Sequence, residues 1–178
     1  METLPKSQSE AMAIPSRTFL QDSLPQLLGQ IGPDAQRQWG ITPSVQHIME
    51  HISAIVYISR KDVGLSLSIP EDKVEKAQKW IFREGSMMRR GTKAPLDNIV
   101  KQELRYASLD ESKDILLMNI AAFYGYFSEN KGIKLMHPAF GPLDLEAWER
   151  FHHIHIVHHL GQFSALEADM SAEWPAKK

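Results

Sequence analysis

Residues 148–163 of the chain read WERFHHIHIVHHLGQF and contain five of its eight histidines. The apolar residues, with almost no glycine or proline among them, predict a helix. At about 100° per residue, His155 and His159 lie one turn apart on one face of that helix, and Gln162 falls on the same stripe. Two imidazoles one turn apart can both direct a ring nitrogen at one divalent metal ion. The stretch therefore predicts a metal-binding face on a long helix.

This helix is also predicted to be central to the fold, because apolar residues occur on nearly every side of it. His152 lies about 60° to one side of the metal-binding stripe, and His158 lies about 60° to the other side. His153 points away from the stripe, so we expect it at the surface or in a contact between copies of the chain. Histidines inside such a helix need hydrogen-bond partners or a ligand.

A second histidine cluster, QHIMEHI at residues 46–52, lies in another predicted helix. His47 and His51 are one turn apart and close to its apolar face, so both are expected to be buried. Either histidine could supply a third metal ligand, and the spacing alone leaves the choice open. The neighbouring Glu50 points about 100° away from His51, which argues against it as the general base of such a site.

At 178 residues and a formal net charge of −2, the chain is expected to form one globular domain. We assign residues 16–170 to that domain, residues 1–15 to a flexible tail of which a part packs on the body, and residues 171–178 to a C-terminal tail. The absence of cysteine excludes disulfides, cysteine-bound metals and a catalytic thiol of the protein itself. No secretory signal or membrane span is recognised, so a cytoplasmic location is expected.

Capping and turn residues predict four long helices. The first begins near Ser16 and is kinked or divided by Pro25, and the second begins with Thr42 as its N-cap. A Ser-x-x-Glu capping box at Ser108 opens the third helix, and Asp144 caps the fourth. A long crossover joins the second helix to the third. The predicted fold class is all-α, a four-helix bundle with a long crossover between helices 2 and 3.

The crossover contains a shorter predicted helix and a basic loop. Pro70 is expected to open this helix and Gly85 to end it. The loop reads MMRRGTKAP at residues 87–95, and it is either a solvated connection or a clamp for a substrate carboxylate or phosphate. A contact with nucleic acid through its arginines is a weaker reading, because the basic stretch is short and no aromatic platform accompanies it.

Two longer stretches of the chain resemble the DinB/YfiT-like superfamily of four-helix bundles, and within it a domain-of-unknown-function family. The first stretch runs from WGITP at residues 39–43 into IMEH at residues 48–51. The second runs from HPAFGPL at residues 137–143 to HIVHHLGQF at residues 155–163. The resemblance covers about residues 17–166 and implies an up-down-down-up bundle of the DinB/YfiT-like type, often found as a dimer.

In that superfamily, one histidine of the second helix and a His-x3-His pair of the fourth typically hold a divalent metal. Carried over by motif, the implied ligands are His51, His155 and His159. Characterised relatives include metal-dependent thiol transferases and a thiol-dependent isomerase. Other polar residues nearby are candidates to support these ligands: His47, His152, His158 and Gln162.

The leading functional prediction is a divalent-metal-dependent enzyme, with zinc or nickel as its metal. Three histidine ligands leave coordination positions open, which is typical of catalytic sites. The predicted reaction is thiol transfer to an electrophile, with a low-molecular-weight thiol as co-substrate, or hydrolysis of a small molecule; no catalytic acid or base is identified. The expected partners are a small-molecule substrate and a second copy of the chain, with no nucleic acid and no membrane. The alternative is a non-catalytic helical module that binds a ligand or partner without a functional metal.

Overall fold

The computed structural model describes residues 4–40, 44–90 and 103–168, which are mostly helical. The helices are α1 (Gln8–Ala13), α2 (Ser16–Thr18), α3 (Leu24–Gly29), α4 (Val45–Ile58), α5 (Val74–Phe82), α6 (Leu109–Glu129) and α7 (Leu145–Gln162). A small antiparallel sheet pairs β1 (Leu135–His137) with β2 (Gly141–Leu143). A mostly helical fold is thus confirmed.

The hairpin of β1 and β2 departs from the all-α prediction. Each strand is three residues long, too short to show the alternation by which strands are recognised in a sequence. His137 shapes the connection, because its Nδ1 accepts a hydrogen bond from the backbone N–H of Ala139 at 3.0 Å. Gly141 has a φ of +72°, and a side chain there would collide with Val74 of α5.

The segment predicted as an N-terminal tail contains α1, which packs against α7. The side chain of Gln8 is buried, and its amide donates a hydrogen bond to the carbonyl of Val157 at 3.0 Å. It reaches that carbonyl by crossing Gly161, where a Cβ atom would collide with the glutamine. Part of the predicted tail is therefore an ordered cover of the last helix.

Pro25 divides the next helical segment in the predicted way. A π-helical turn over Phe19–Ser23 joins α2 to α3 directly before the proline, and the N–H of Leu24 bonds to the carbonyl of Phe19. Proline has no N–H to continue the i to i−4 hydrogen bonds of an α-helix, and the helical turn before it is wider by one residue.

Helix α4, the second of the four predicted long helices, begins two residues later than its predicted cap. Ser44 is the N-cap of α4, and its hydroxyl accepts a hydrogen bond from the backbone N–H of His47. The predicted cap Thr42 lies outside the described residues. In the crossover, a 3₁₀ turn over Glu71–Lys73 leads into α5, as Pro70 predicted. The part of the basic loop after Arg90 is likewise outside the described residues.

The last two long helices begin at their predicted caps. The Ser108 hydroxyl accepts from the N–H of Glu111 at 3.1 Å, and the Asp144 carboxylate accepts from the N–H of Ala147 at 3.0 Å. The capping box is not fully reciprocal, because the Glu111 carboxylate binds the N–H of Ala107 instead of that of Ser108.

Burial on nearly all sides makes α7 the central helix, as predicted. It packs against α1, α2, α4, α5 and β2. The prediction for His153 was wrong, because α1 and α2 cover its face and the side chain is fully buried. Its Nε2 donates to the carbonyl of Ala11 at 3.0 Å, and its Nδ1 accepts from the Ser16 hydroxyl at 3.0 Å. The ring also stacks on Phe19 with 4.3 Å between the centroids.

None of the helices in the described parts of the chain has both the length and the apolar character needed to cross a membrane. The division into a domain over residues 16–170 with two tails stays a prediction.

A buried carboxylate on α4 holds the end of the crossover. Glu50 is 8% exposed, and its two oxygens accept from the N–H of Arg105 at 2.7 Å and from the N–H of Tyr106 at 3.2 Å. The Ser112 hydroxyl of α6 donates to the same carboxylate at 3.3 Å. Glu50 thus ties the start of α6 to α4, and its contacts are structural.

We expect Glu50→Gln to lower the free energy of unfolding by about 1.5–3 kcal/mol, the usual contribution of hydrogen bonds to a buried charged group. The amide presents N–H groups toward the backbone donors that the carboxylate accepts. Urea denaturation followed by circular dichroism measures the change. Glu75→Gln, in an exposed ion pair with Lys79 on α5, is the matched control and should leave the midpoint unchanged. Equal midpoints for both variants would contradict this role of Glu50.

Candidate metal centre

Three histidines from two helices meet inside the fold. His51 lies in α4, and His155 and His159 lie one turn apart in α7. One ring nitrogen of each lies within 4.8 Å of the others, an arrangement that could hold a metal ion. His155 is buried, while His51 and His159 are half-buried, so the cluster lies at the edge of the core. The structure thus brings together the three residues that the resemblance implied.

The two contacts that Nε2 of His155 makes in this cluster cannot both be ordinary hydrogen bonds. Nε2 of His155 is 3.2 Å from Nε2 of His51 and 3.0 Å from Nε2 of His159. A ring nitrogen carries either one hydrogen or one lone pair, so it makes one linear hydrogen bond. A cation between the rings accepts all three lone pairs at once. Two nitrogens bound at about 2.05 Å to one tetrahedral zinc ion are about 3.3 Å apart, close to both distances.

Gln162 fixes which nitrogen of His159 faces the cluster. The Gln162 Nε2 donates to the carbonyl of Trp39 at 3.3 Å, which sets the orientation of the amide. Its oxygen then accepts from Nδ1–H of His159 at 2.8 Å. With the hydrogen on Nδ1, the Nε2 of His159 presents a lone pair, the form that binds a metal.

The segment before α4 packs against the end of α7, which brings the carbonyl of Trp39 to Gln162. The N–H of Gln38 donates to the backbone carbonyl of Gln162 at 2.8 Å. Gly40 has a φ of +88°, and any Cβ there would collide with the amide of Gln162. A glycine is therefore required after Trp39, and no sequence pattern predicted this requirement.

His155 is placed by packing. Its ring is parallel to that of Phe151, with 5.6 Å between the centroids, and its buried Nδ1 has no hydrogen-bond partner among the described residues. Burial is the main cause that holds the pKa of His155 and of His159 well below the ordinary value, and the neighbouring imidazoles add to it. Both rings are therefore neutral at pH 7, as ligands must be.

The other predicted supporting histidines occupy separate places. His47 bonds through Nδ1 to the Ser44 hydroxyl at 2.7 Å, and it is not part of the cluster. His152 donates from Nε2 to the Ser59 hydroxyl at 2.9 Å, and its ring stacks on Trp148. His158 is buried, and its ring lies edge-on to that of His159 at 5.1 Å.

The donor set fits a divalent metal. It consists of neutral imidazole nitrogens, which suit zinc, nickel, copper and iron. Because only three side chains converge in the described residues, positions on the ion would remain for another ligand.

A comparison with protein families matches residues 26–165 to the family described as "Protein of unknown function (DUF1569)". The chain belongs to this family. The match covers both α4 and α7, so the three histidines of this family member lie inside it. Comparisons with curated proteins and with solved structures give no match.

Sequence reasoning missed the role of Trp39 in this family member. Its carbonyl orients Gln162, and its ring lies 6.2 Å from that of His158. The guanidinium carbon of Arg90 lies over the Trp39 ring, 4.3 Å from its centroid. No local pattern joins residues so distant in the chain.

A buried histidine outside the cluster gives the fold a measurable pH dependence. Burial lowers the pKa of His137 from 6.5 to about 3, while its Nδ1 accepts from Ala139. The native ring stays neutral in the pH range where the unfolded ring takes up a proton. The stability that it contributes is therefore complete above pH 6.5 and is lost as the pH falls from 6.5 toward 3.

We expect His137→Asn to reduce the pH dependence of the free energy of unfolding between pH 6 and pH 4 by up to about 1.4 kcal/mol per pH unit. Asparagine keeps an acceptor for the N–H of Ala139 but does not titrate. Urea denaturation of both proteins at several pH values measures the two slopes. A loss of packing energy in the variant that is the same at every pH does not change the slope of the free energy of unfolding against pH. Identical slopes for the two proteins would contradict a neutral, buried His137.

Proposed function

We propose that this protein is a divalent-metal-dependent enzyme of the DinB-like kind, with His51, His155 and His159 as the metal ligands. The observation that carries the proposal is the convergence of their Nε2 atoms at 3.0 and 3.2 Å. The hydrogen bond from Nδ1 of His159 to Gln162 supports it, because it leaves the Nε2 lone pair directed at the cluster.

The proposal extends to the fold. The four helices of a DinB-type bundle would be the segment α2–α3, then α4, α6 and α7, with α5 and the basic loop in the crossover between the second and third. Two observations support this assignment: α4 contacts both α6 and α7, and α2 contacts α7.

The proposed reaction is transfer of a low-molecular-weight thiol to an electrophile or hydrolysis of a small molecule. When bound, the metal supplies a Lewis acid that lowers the pKa of a coordinated thiol or water. The chain's own residues hold and orient the ligand rings: Gln162 fixes His159, and Phe151 stacks on His155. Glu50 is held by backbone N–H groups, so it takes no part in proton transfer.

Zinc or nickel is the proposed metal. A small-molecule substrate, a homodimer, a cytoplasmic location and the absence of nucleic acid as a partner complete the proposal, and these parts are carried by the resemblance and the composition.

Metal content tests the ligand assignment. We expect about one zinc or nickel ion per chain by mass spectrometry of tag-free protein. His51→Ala, His155→Ala and His159→Ala should each reduce the content to near zero, because each removes one of three ligands. His47→Ala is the matched control, since His47 lies one turn before His51 and its ring bonds to Ser44, the N-cap of α4.

Circular dichroism would verify that each variant is folded. Wild-type protein that stays metal-free after incubation with zinc or nickel would overturn the proposal and favour a helical module that binds a ligand or partner without metal.

Gln162 offers a finer test. We expect Gln162→Ala to weaken zinc affinity by about 10-fold or more, the usual effect of removing a hydrogen-bond partner of a ligand histidine. Competition with a chromophoric chelator measures the affinity. Gln26→Ala, on the exposed face of α3, is the control and should leave the affinity unchanged. A Gln162→Ala protein that binds zinc as tightly as this control would show that Gln162 does not support His159.

A further inference from the structure

The first part of the basic loop lies beside the candidate metal centre. Residues 87–90 follow α5, and the backbone of Met88 forms a hydrogen bond with His158, the residue next to His159. The crossover is thereby attached to α7 at the level of the three histidines. The arginines that follow Met88 are consequently brought to this end of the molecule.

Arg90 is connected to the cluster through two aromatic rings. Its guanidinium carbon lies 4.3 Å from the centroid of the Trp39 ring, a cation–π contact that limits where the charge can lie. The Trp39 ring is 6.2 Å from that of His158, and the His158 ring is 5.1 Å from that of His159. The same Trp39 also orients Gln162 through its carbonyl. The Arg90 charge is thus held on the Trp39 ring, which is linked to His159 through the ring of His158.

The surroundings of the cluster favour negative charge. Among the described residues, the titratable neighbours that shift the pKa of His155 and His159 are other imidazoles, and Arg90 is a charged neighbour of His158. The nearest acid in the sequence, Glu50, is occupied by the N–H groups of Arg105 and Tyr106. A divalent metal would add two positive charges to this environment. An anion entering here meets attraction from both the ion and the arginine.

We propose that the substrate of this centre carries an oxyanion, a carboxylate or a phosphate, that binds Arg90 while the reactive part of the same molecule lies at the three histidines. This inference rests on the proposed function, since it needs a metal at the cluster. It adds a substrate class and a specificity-determining residue. Arginine suits this task because its planar, permanently charged group binds oxyanions through two parallel hydrogen bonds.

Three thiols that differ in the charge of their tails test the inference. The protein is loaded with Co²⁺, and the binding of 3-mercaptopropionate, 2-mercaptoethanol and cysteamine is followed by visible and near-ultraviolet absorption. We expect Arg90→Gln to weaken binding of the anionic thiol by about threefold or more at low ionic strength. The neutral thiol should be unaffected, and the cationic thiol should bind equally or more tightly. Comparing each thiol between proteins cancels the differences in thiol acidity.

Two further variants complete the test. Arg83→Gln removes an exposed cation after α5 and should leave all three affinities unchanged. Arg90→Lys keeps the charge and should retain most of the preference for the anionic tail. Competition against 3-mercaptopropionate by inorganic phosphate or by acetate then distinguishes phosphate from carboxylate. The anion whose competition is weakened by Arg90→Gln identifies the class of oxyanion that Arg90 binds.

The outcomes separate the two proposals. Equal effects of Arg90→Gln on the three thiols, in protein with a normal Co²⁺ spectrum, would overturn the role of Arg90 and leave the metal enzyme intact. Protein that takes up no Co²⁺ would overturn the proposed function itself, and the inference with it.

Discussion

The contact that the proposed site depends on is the approach of three imidazole nitrogens, His155 Nε2 lying 3.2 Å from His51 and 3.0 Å from His159. Such an approach is unfavourable for neutral rings unless a cation or a proton lies between their lone pairs. The surrounding structure enforces it. Because α7 is buried on nearly every side, its ligand face packs against α4, and burial keeps the rings of His155 and His159 neutral.

The site is also shaped by residues that do not touch the cluster. Trp39 directs the amide of Gln162, Gln162 directs His159, and the contact is possible because Gly40 lacks a side chain. Trp39 is in addition the surface on which Arg90 stacks. The short segment of Trp39 and Gly40 before α4 thus affects both the orientation of His159 and the position of the Arg90 charge. A substitution in this segment is therefore expected to change both.

Buried histidines serve two different purposes in this protein. His153 bonds through both ring nitrogens to Ala11 and Ser16, and His152 bonds through Nε2 to Ser59, so each ring joins α7 to another segment. His51, His155 and His159 instead face one another. The distinction lies in the partners rather than in the residue type, since all of these rings belong to the same two helices and most are equally buried.

The sequence by itself determined the long helices, because the caps Ser108 and Asp144 and the apolar periodicity act within a few residues of where they stand. It also determined the spacing of His155 and His159, since one helical turn places them on one face. The choice of His51 over His47 came from the resemblance, because both fit the spacing.

Only the tertiary structure decided which surfaces are covered. The hairpin of β1 and β2 joins residues that are close in the chain, but its strands are too short to be recognised from the sequence. The burial of His153 by α1 and α2 and the contacts of Trp39 with Gln162 and Arg90 join residues far apart in the chain. Such contacts form when whole helices pack against one another. The periodicity of a single helix shows that one of its faces is apolar, but it does not show which segment covers that face.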